Sequence, residues 1–244
     1  MIKKFIPNKM KQGFRKAVKE KYNFKDNNEI YNHYYPEFIK EQKEARESIE
    51  KEIPSLEVDE KHIENLKILL NRNQLLKNLP IGACCAEIGV NEGEFSEEII
   101  RITKPRKLHL IDLWDDPSRY HDGLRVQVAK KFEKEIENNS VEINVGYSTE
   151  IIKNMPDNYF DWVYLDTDHS YKTTALELSM LKSKIKNNGI IAGHDYIVGN
   201  WRGGIRYGVI EAVNEFCVLE DWEYLYLTIR KNEMPSFAIK KIEN

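Results

Sequence analysis

Two stretches of the chain carry residue types that could do chemistry together: Asp166-Thr167-Asp168-His169 and Gly193-His194-Asp195-Tyr196. Each follows an apolar run, FDWVYL at 160–165 and GIIAG at 189–193. If those runs are neighbouring strands, Asp166 and Asp195 face each other across adjacent strand ends. Two carboxylates so close repel unless a cation sits between them. Such oxygen ligands suit Mg²⁺, Mn²⁺ or Ca²⁺. Asp168 or His194 could add a further ligand. His169 lies three residues past Asp166; an unperturbed imidazole titrates near ~6.5 and can take a hydroxyl proton. The structural alternatives are a capping or loop histidine, and carboxylates paired to nearby Lys or Arg.

A third stretch is ACCAEIGVNEG, residues 83–93. It reads as a strand, an acid (Glu87), a glycine turn (Gly89 to Gly93) and then a helix with Phe95, Ile99 and Ile100 at helical spacing. A glycine here lets a ligand approach the backbone closely, and the helix start offers free N–H groups. The turn is neither G-x-G-x-x-G nor a phosphate loop, so an ordinary strand-to-helix turn is the plain alternative. KLHLIDL follows and carries Asp112 at its end. In dinucleotide folds an acid at that place holds ribose hydroxyls.

The elements that must position these residues alternate. Strands are expected near 83, 107–113, 141–145, 160–166, 189–193, 222–230 and 236–242. Helices are expected over 94–102, 124–137, a short stretch before Pro156, 171–186 and 206–218. Alternation of this kind implies an α/β fold, a mostly parallel doubly wound sheet of seven strands with helices on both faces. The last strand should return antiparallel. Ligands in such sheets bind beyond the carboxyl ends of the strands. Glu87, Asp112, Asp166 and His194-Asp195 all fall there.

Residues 1–80 read as a helical N-terminal extension, with helices over 36–49 and 59–77, and residues 81–244 as the catalytic domain. Residues 1–25 hold nine Lys or Arg against one acid; they could touch an anionic surface, or form a solvated or packed arm. The 244-residue chain is 41% hydrophobic with a net charge of -3, which supplies a core but no basic field for nucleic acid. Three cysteines, without metal-type spacing, and no membrane-length apolar run suit a cytoplasmic protein.

Together these residues resemble class I S-adenosylmethionine-dependent methyltransferases. Glu87-Ile88-Gly89-Val90-Asn91-Glu92-Gly93 is similar to the family's first motif, and Asp112 to the acid after its second strand. Gly146-Tyr147-Ser148 resembles the segment bordering the adenine in catechol O-methyltransferase-like members. Asp166 and His194-Asp195 match that group's metal positions. The Asp166–His169 step is similar to metal-dependent macrolide sugar O-methyltransferases, where the histidine is the base. The catechol enzymes have lysine at His169, and neither group has His194-Asp195 itself.

The resemblance implies S-adenosylmethionine held by Glu87, Gly89, Gly93, Asp112, Trp114 and Ser148. It implies Mg²⁺ (or Mn²⁺) on Asp166, His194 and Asp195, with His169 as base. The implied reaction is O-methylation of a sugar, glycan or small polyhydroxyl metabolite. Tyr120, Tyr196 and Trp201 could stack on the acceptor, and Arg202 and Arg206 could bind its phosphate or carboxylate. The alternatives are a catechol or phenol acceptor, a non-catalytic adenosine-binding scaffold, and a metal hydrolase. Self-association through the helical extension is also expected.

Overall fold

The structure is a computed structural model. It describes residues 50–114, 123–200 and 205–243, with helical positions 36, 39–41, 43–44 and 47–48. The basic arm 1–25, Tyr120, Trp201 and Arg202 lie outside the described residues. Pro54–Asn200 and Ile205–Asn244 form one compact unit. The helical positions 36–52 fall in another, where Lys40–Glu44 and Lys43–Glu47 are spaced as exposed i,i+4 ion pairs. Among the described residues no helix is long and apolar enough to cross a membrane.

The larger unit is built on eight strands: β1 (Lys67–Leu69), β2 (Cys84–Ile88), β3 (Lys107–Asp112), β4 (Val141–Val145), β5 (Phe160–Leu165), β6 (Ile185–Gly193), β9 (Trp222–Thr228) and β10 (Phe237–Lys241). Their order is β1-β9-β10-β6-β5-β2-β3-β4. β10 alone runs antiparallel to its neighbours. A separate two-stranded ribbon pairs β7 (Gly199–Asn200) with β8 (Ile205–Arg206).

The central strands are apolar because both faces of a parallel sheet are covered. All five residues of β2 are buried. Side chains alternate between two cores. Cys84, Ala86, Ile88, Val163, Leu165 and Ile191 point to one. This is the side of α5 (Ser148–Asn154), α6 (Tyr171–Lys184) and α7 (Val209–Glu220), α6 packing on both of the others. Cys85, Trp162, Tyr164 and Ala192 point to the other. There lie α1 (Arg72–Lys77), α2 (Glu94–Thr103) and α3 (Leu124–Lys131).

Three expectations need correction. The sheet has eight strands, not seven. The helix expected over 59–77 is instead a short 3-10 turn at Glu60–His62, then β1, then α1. Ile63, Leu66, Leu69 and Leu70 mimic a helical stripe, yet β1 pairs with Tyr226–Thr228 and covers the open edge of β9. Leu66 and Leu69 then reach the two cores while Leu70 stays exposed. Asn71 caps α1 by accepting from the Gln74 amide at 2.9 Å. The helix expected over 124–137 breaks into α3 and α4 (Glu133–Glu137) at Phe132, whose ring is buried against the Gly93 turn.

Leu75 on α1 is fully buried. Leu75→Ala is expected to cost about 2–5 kcal/mol, with far-UV and tryptophan signals melting together. A detachable lead-in would show almost no loss.

Candidate active site

β2 is flanked by β3 on one side and β5 on the other. The chain reverses its direction of travel across the sheet there, which opens a crevice beyond the strand ends. An open cleft of about 420 Å³ occupies it, within the usual range for small-ligand sites. One wall is Gly89 and Asp112, another Gly146 to Thr149, and the third Asp166 to Asp168 with Lys172, Thr173 and Leu176 of α6.

Gly89 is required for a reason other than ligand approach. Its φ is +89°, and a Cβ there would stand 1.9 Å from the Asp166 carbonyl oxygen. The Gly89 amide donates to Ile111 and the Asp166 amide to Ile88, at 2.9 and 2.8 Å. The turn is thereby tied to both neighbouring strands. Asp112 completes it: the Val90 and Asn91 amides donate to its Oδ2 at 2.6 and 2.8 Å, and the Leu113 amide to its Oδ1. The Asp112 carboxylate is therefore fixed at the cleft wall.

Glu87, Gly93 and Trp114 do not line the cleft. Glu87 is 2% exposed, under α2, where the Ser96 hydroxyl donates to it. Burial pushes its carboxyl up to about 8 against the opposing Ser96 hydrogen bond. Gly93 is the left-handed N-cap of α2, and a Cβ there would meet the Phe132 ring at 2.8 Å. Trp114 is buried in a core, its indole N–H donating to the Asn91 carbonyl at 2.8 Å. Ser148 does line the cleft.

Asp166 borders both the cleft and a second group. β5 and β6 pair Leu165 with Gly193, so Asp166 and His194 leave the sheet side by side. Donor atoms of Asp166, His169 and Asp195 lie within 4.8 Å of one another. His169 Nε2 is 3.2 Å from Asp195 Oδ2, and its Nδ1 is 4.0 Å from Asp166 Oδ1. His194 Nδ1 is 3.6 Å from a carboxylate oxygen of each aspartate. His169 and Asp195 both adopt positive φ, 62° and 55°. Strained backbone of this kind concentrates at functional sites. The His169 carbonyl accepts from Gly208 at 2.8 Å, and its ring packs on Tyr207 at 4.8 Å.

Burial raises the Asp166 carboxyl above its usual range, beyond what the two imidazoles offset. At Asp195 burial acts the same way, but contact with His194 and the charges of both histidines prevail and lower it. Burial would lower His194; Asp195 and Asp166 outweigh it and raise it. The cluster thus holds charge in a partly desolvated place.

Asp168 is committed to its own loop, accepting from the Ser170 amide and the Thr173 hydroxyl at 2.9 and 2.8 Å. Tyr196 is packed on Tyr224 and Phe237, its hydroxyl donating to Asn214 at 3.1 Å. Arg206 is tied to Glu211. Sequence reading passed over Thr167, Lys172, Thr173 and Glu177. The signal for Glu177 is its place in the buried stripe Thr174, Glu177, Leu178, Leu181 of α6, where an acid is out of character.

Residues 86–196 match the family model described as a methyltransferase domain. No curated protein sequence matches the chain. Several solved structures are similar. A putative rRNA-methylase from Clostridium thermocellum has a TM-score of 0.54 at 15% identity, over 71% of this chain and 94% of that one. A putative methyltransferase from Streptococcus mutans, in complex with SAH, has a TM-score of 0.50 at 14% identity, over 70% and 96%. The pyocyanin biosynthetic protein PhzM has a TM-score of 0.52 at 10% identity, over 70% of this chain and 54% of its own. The chain therefore spans about half the length of PhzM. At these identities the likeness speaks to the fold. The matched segment is an S-adenosylmethionine-dependent methyltransferase domain on a Rossmann-like sheet.

Glu87 generates a pH prediction. The unfolded chain loses this proton near ~4.3, whereas the folded chain keeps it up to about 8. Between those values the folded state binds more protons, so stability falls as pH rises. Glu87→Gln removes that fall. Relative to the natural chain it should gain roughly 1–3 kcal/mol between about pH 4 and about pH 8, read from Tm at each pH. Parallel Tm–pH curves would contradict the buried neutral carboxyl.

Proposed function

We propose that the protein as a whole transfers a methyl group from S-adenosylmethionine to a hydroxyl of a sugar, glycan or small polyhydroxyl metabolite. One observation carries the reading: Asp166 is shared between the nucleoside-sized cleft and the acid–histidine cluster. A donor in the first and a hydroxyl at the second are then brought together, and holding reactants in line is itself a large part of catalysis.

S-adenosylmethionine fits the cleft by the chemistry of its walls. Asp112, held rigid by backbone amides, is suited to ribose hydroxyls, and Ser148 borders the place for the base. Gly89 keeps the turn clear between them. When bound, S-adenosylmethionine supplies an electrophilic methyl with its own leaving group. The chain therefore has to orient the acceptor and remove one proton.

The carboxylate oxygens of Asp166 and Asp195, within 4.8 Å of each other, also fit a divalent cation, Mg²⁺ or Mn²⁺. Asp166 and Asp195 would hold it, with His194 against both carboxylates. When bound, such a cation lowers the pKa of a hydroxyl and neutralises the carboxylate pair. His169 takes the acceptor proton. Asp195 at 3.2 Å orients its ring, and Tyr207 packs against it at a tilt. An imidazole fixed by a carboxylate is the usual arrangement of a general base.

Calorimetry should show saturable S-adenosylmethionine binding, weakened about 10- to 100-fold in Asp112→Ala; absence of binding in the natural chain would sink the reading. His169→Ala should keep donor affinity and Mn²⁺ binding by electron paramagnetic resonance, yet lose turnover by about 100-fold or more. Loss of Mn²⁺ instead would make His169 a ligand rather than the base. Chelator should stop methyl transfer to a panel of nucleotide-sugars and glycan fragments, and Mg²⁺ should restore it. Transfer to simple phenols alone would replace the acceptor class.

A further inference from the structure

Beside the acid–histidine cluster is a second, small cavity of about 10 Å³, room for one water. Thr167, His169, Thr174, Glu177 and His194 supply its polar lining, and Val209 and Phe237 apolar parts of it. Two atoms of these walls are fully buried without a hydrogen-bond partner among the described residues: Glu177 Oε1 and His194 Nε2. Bare polar atoms in such a place are costly. Glu177 is 0% exposed, and its other oxygen accepts from the Thr167 hydroxyl at 3.0 Å. The other ring nitrogen of His194 faces Asp166 and Asp195 at 3.6 Å. The His194 ring therefore reaches from the cavity to the cluster.

We propose that Glu177 is a positioning residue for the acid–histidine cluster, acting through one water that it shares with His194. The water meets Glu177 Oε1, His194 Nε2 and the Thr174 hydroxyl, the number of partners an internal water commonly has. A bridging water of this sort is nearly as good as a direct hydrogen bond. Engaged at both nitrogens, the ring keeps one orientation and one tautomer, and so sets the spacing of Asp166 and Asp195. Through Thr167 the same carboxyl also holds the residue that follows Asp166. Partners one layer behind a site orient the groups in front of them. The effect on turnover rests on the methyl-transfer reading, whereas the water and the ring orientation do not.

The test uses the full chain. A crystal structure at about 1.5 Å should show one water about 3 Å from both Glu177 Oε1 and His194 Nε2; a direct contact between the two residues, or a cavity without density, overturns the proposal. Ring-nitrogen NMR of His194 should be unchanged in Glu177→Gln and altered in Glu177→Leu. Identical ring signals in all three chains also overturn it. In Glu177→Leu kcat should fall roughly 10-fold or more, and Glu177→Gln should restore most of it. Should Glu177→Leu not fold, the crystallographic water still decides. Failure of the natural chain to bind S-adenosylmethionine would count against the methyl-transfer reading, leaving the first two measurements to judge Glu177.

Discussion

Three strand ends converge on one backbone position. Gly89 must turn with a left-handed φ while its amide reaches Ile111 and its α-carbon passes the Asp166 carbonyl. No side chain fits in that space. The consequence extends past the turn itself. Because Gly89 lies against Asp166, the cleft beyond β2 and β3 and the cluster beyond β5 and β6 share a wall. The distance between cleft and cluster is thus a property of the sheet rather than of a flexible loop. Asp112 adds to this rigidity by collecting the amides of Val90, Asn91 and Leu113, which would otherwise be left without these partners.

The cluster is held in a less relaxed way. His169 and Asp195 both take left-handed backbone, which histidine and aspartate tolerate better than most residues but not without cost. Gly208 secures the first by donating to the His169 carbonyl and by leaving room for Tyr171, whose backbone nitrogen would lie 2.3 Å from a Cβ. Asp195 is followed by Tyr196, whose amide is bound to Pro235 and whose ring is locked in the Tyr224–Asn214 network. Packing on both sides maintains a geometry that the local chain would not choose.

Much of this arrangement could be read from residue order. The parallel strands show as short apolar runs because both their faces are buried. Their carboxyl ends show because acids follow the runs directly, as at Asp112, Asp166 and Asp195. What could not be read depends on partners distant in the chain. β1 takes its hydrogen bonds from the edge of β9, so Leu66 to Leu70 kept the look of a helix stripe. The break at Phe132 is set by the space beside Gly93. Glu87 looked like a ligand-facing acid, but its neighbour is Ser96, in the first turn of α2. His194 gave no hint of facing a buried Glu177, since only the fold brings α6 beneath β6.

The central claim is one of adjacency: donor nucleoside and divalent cation on either side of Asp166. A crystal structure grown with S-adenosylhomocysteine and Mn²⁺, with the cation placed by its anomalous scattering, measures this directly. The account predicts the ribose at Asp112, the adenine beside Ser148 and the manganese peak between Asp166 and Asp195. Manganese elsewhere, or a nucleoside seated away from the Gly89 turn, would contradict it.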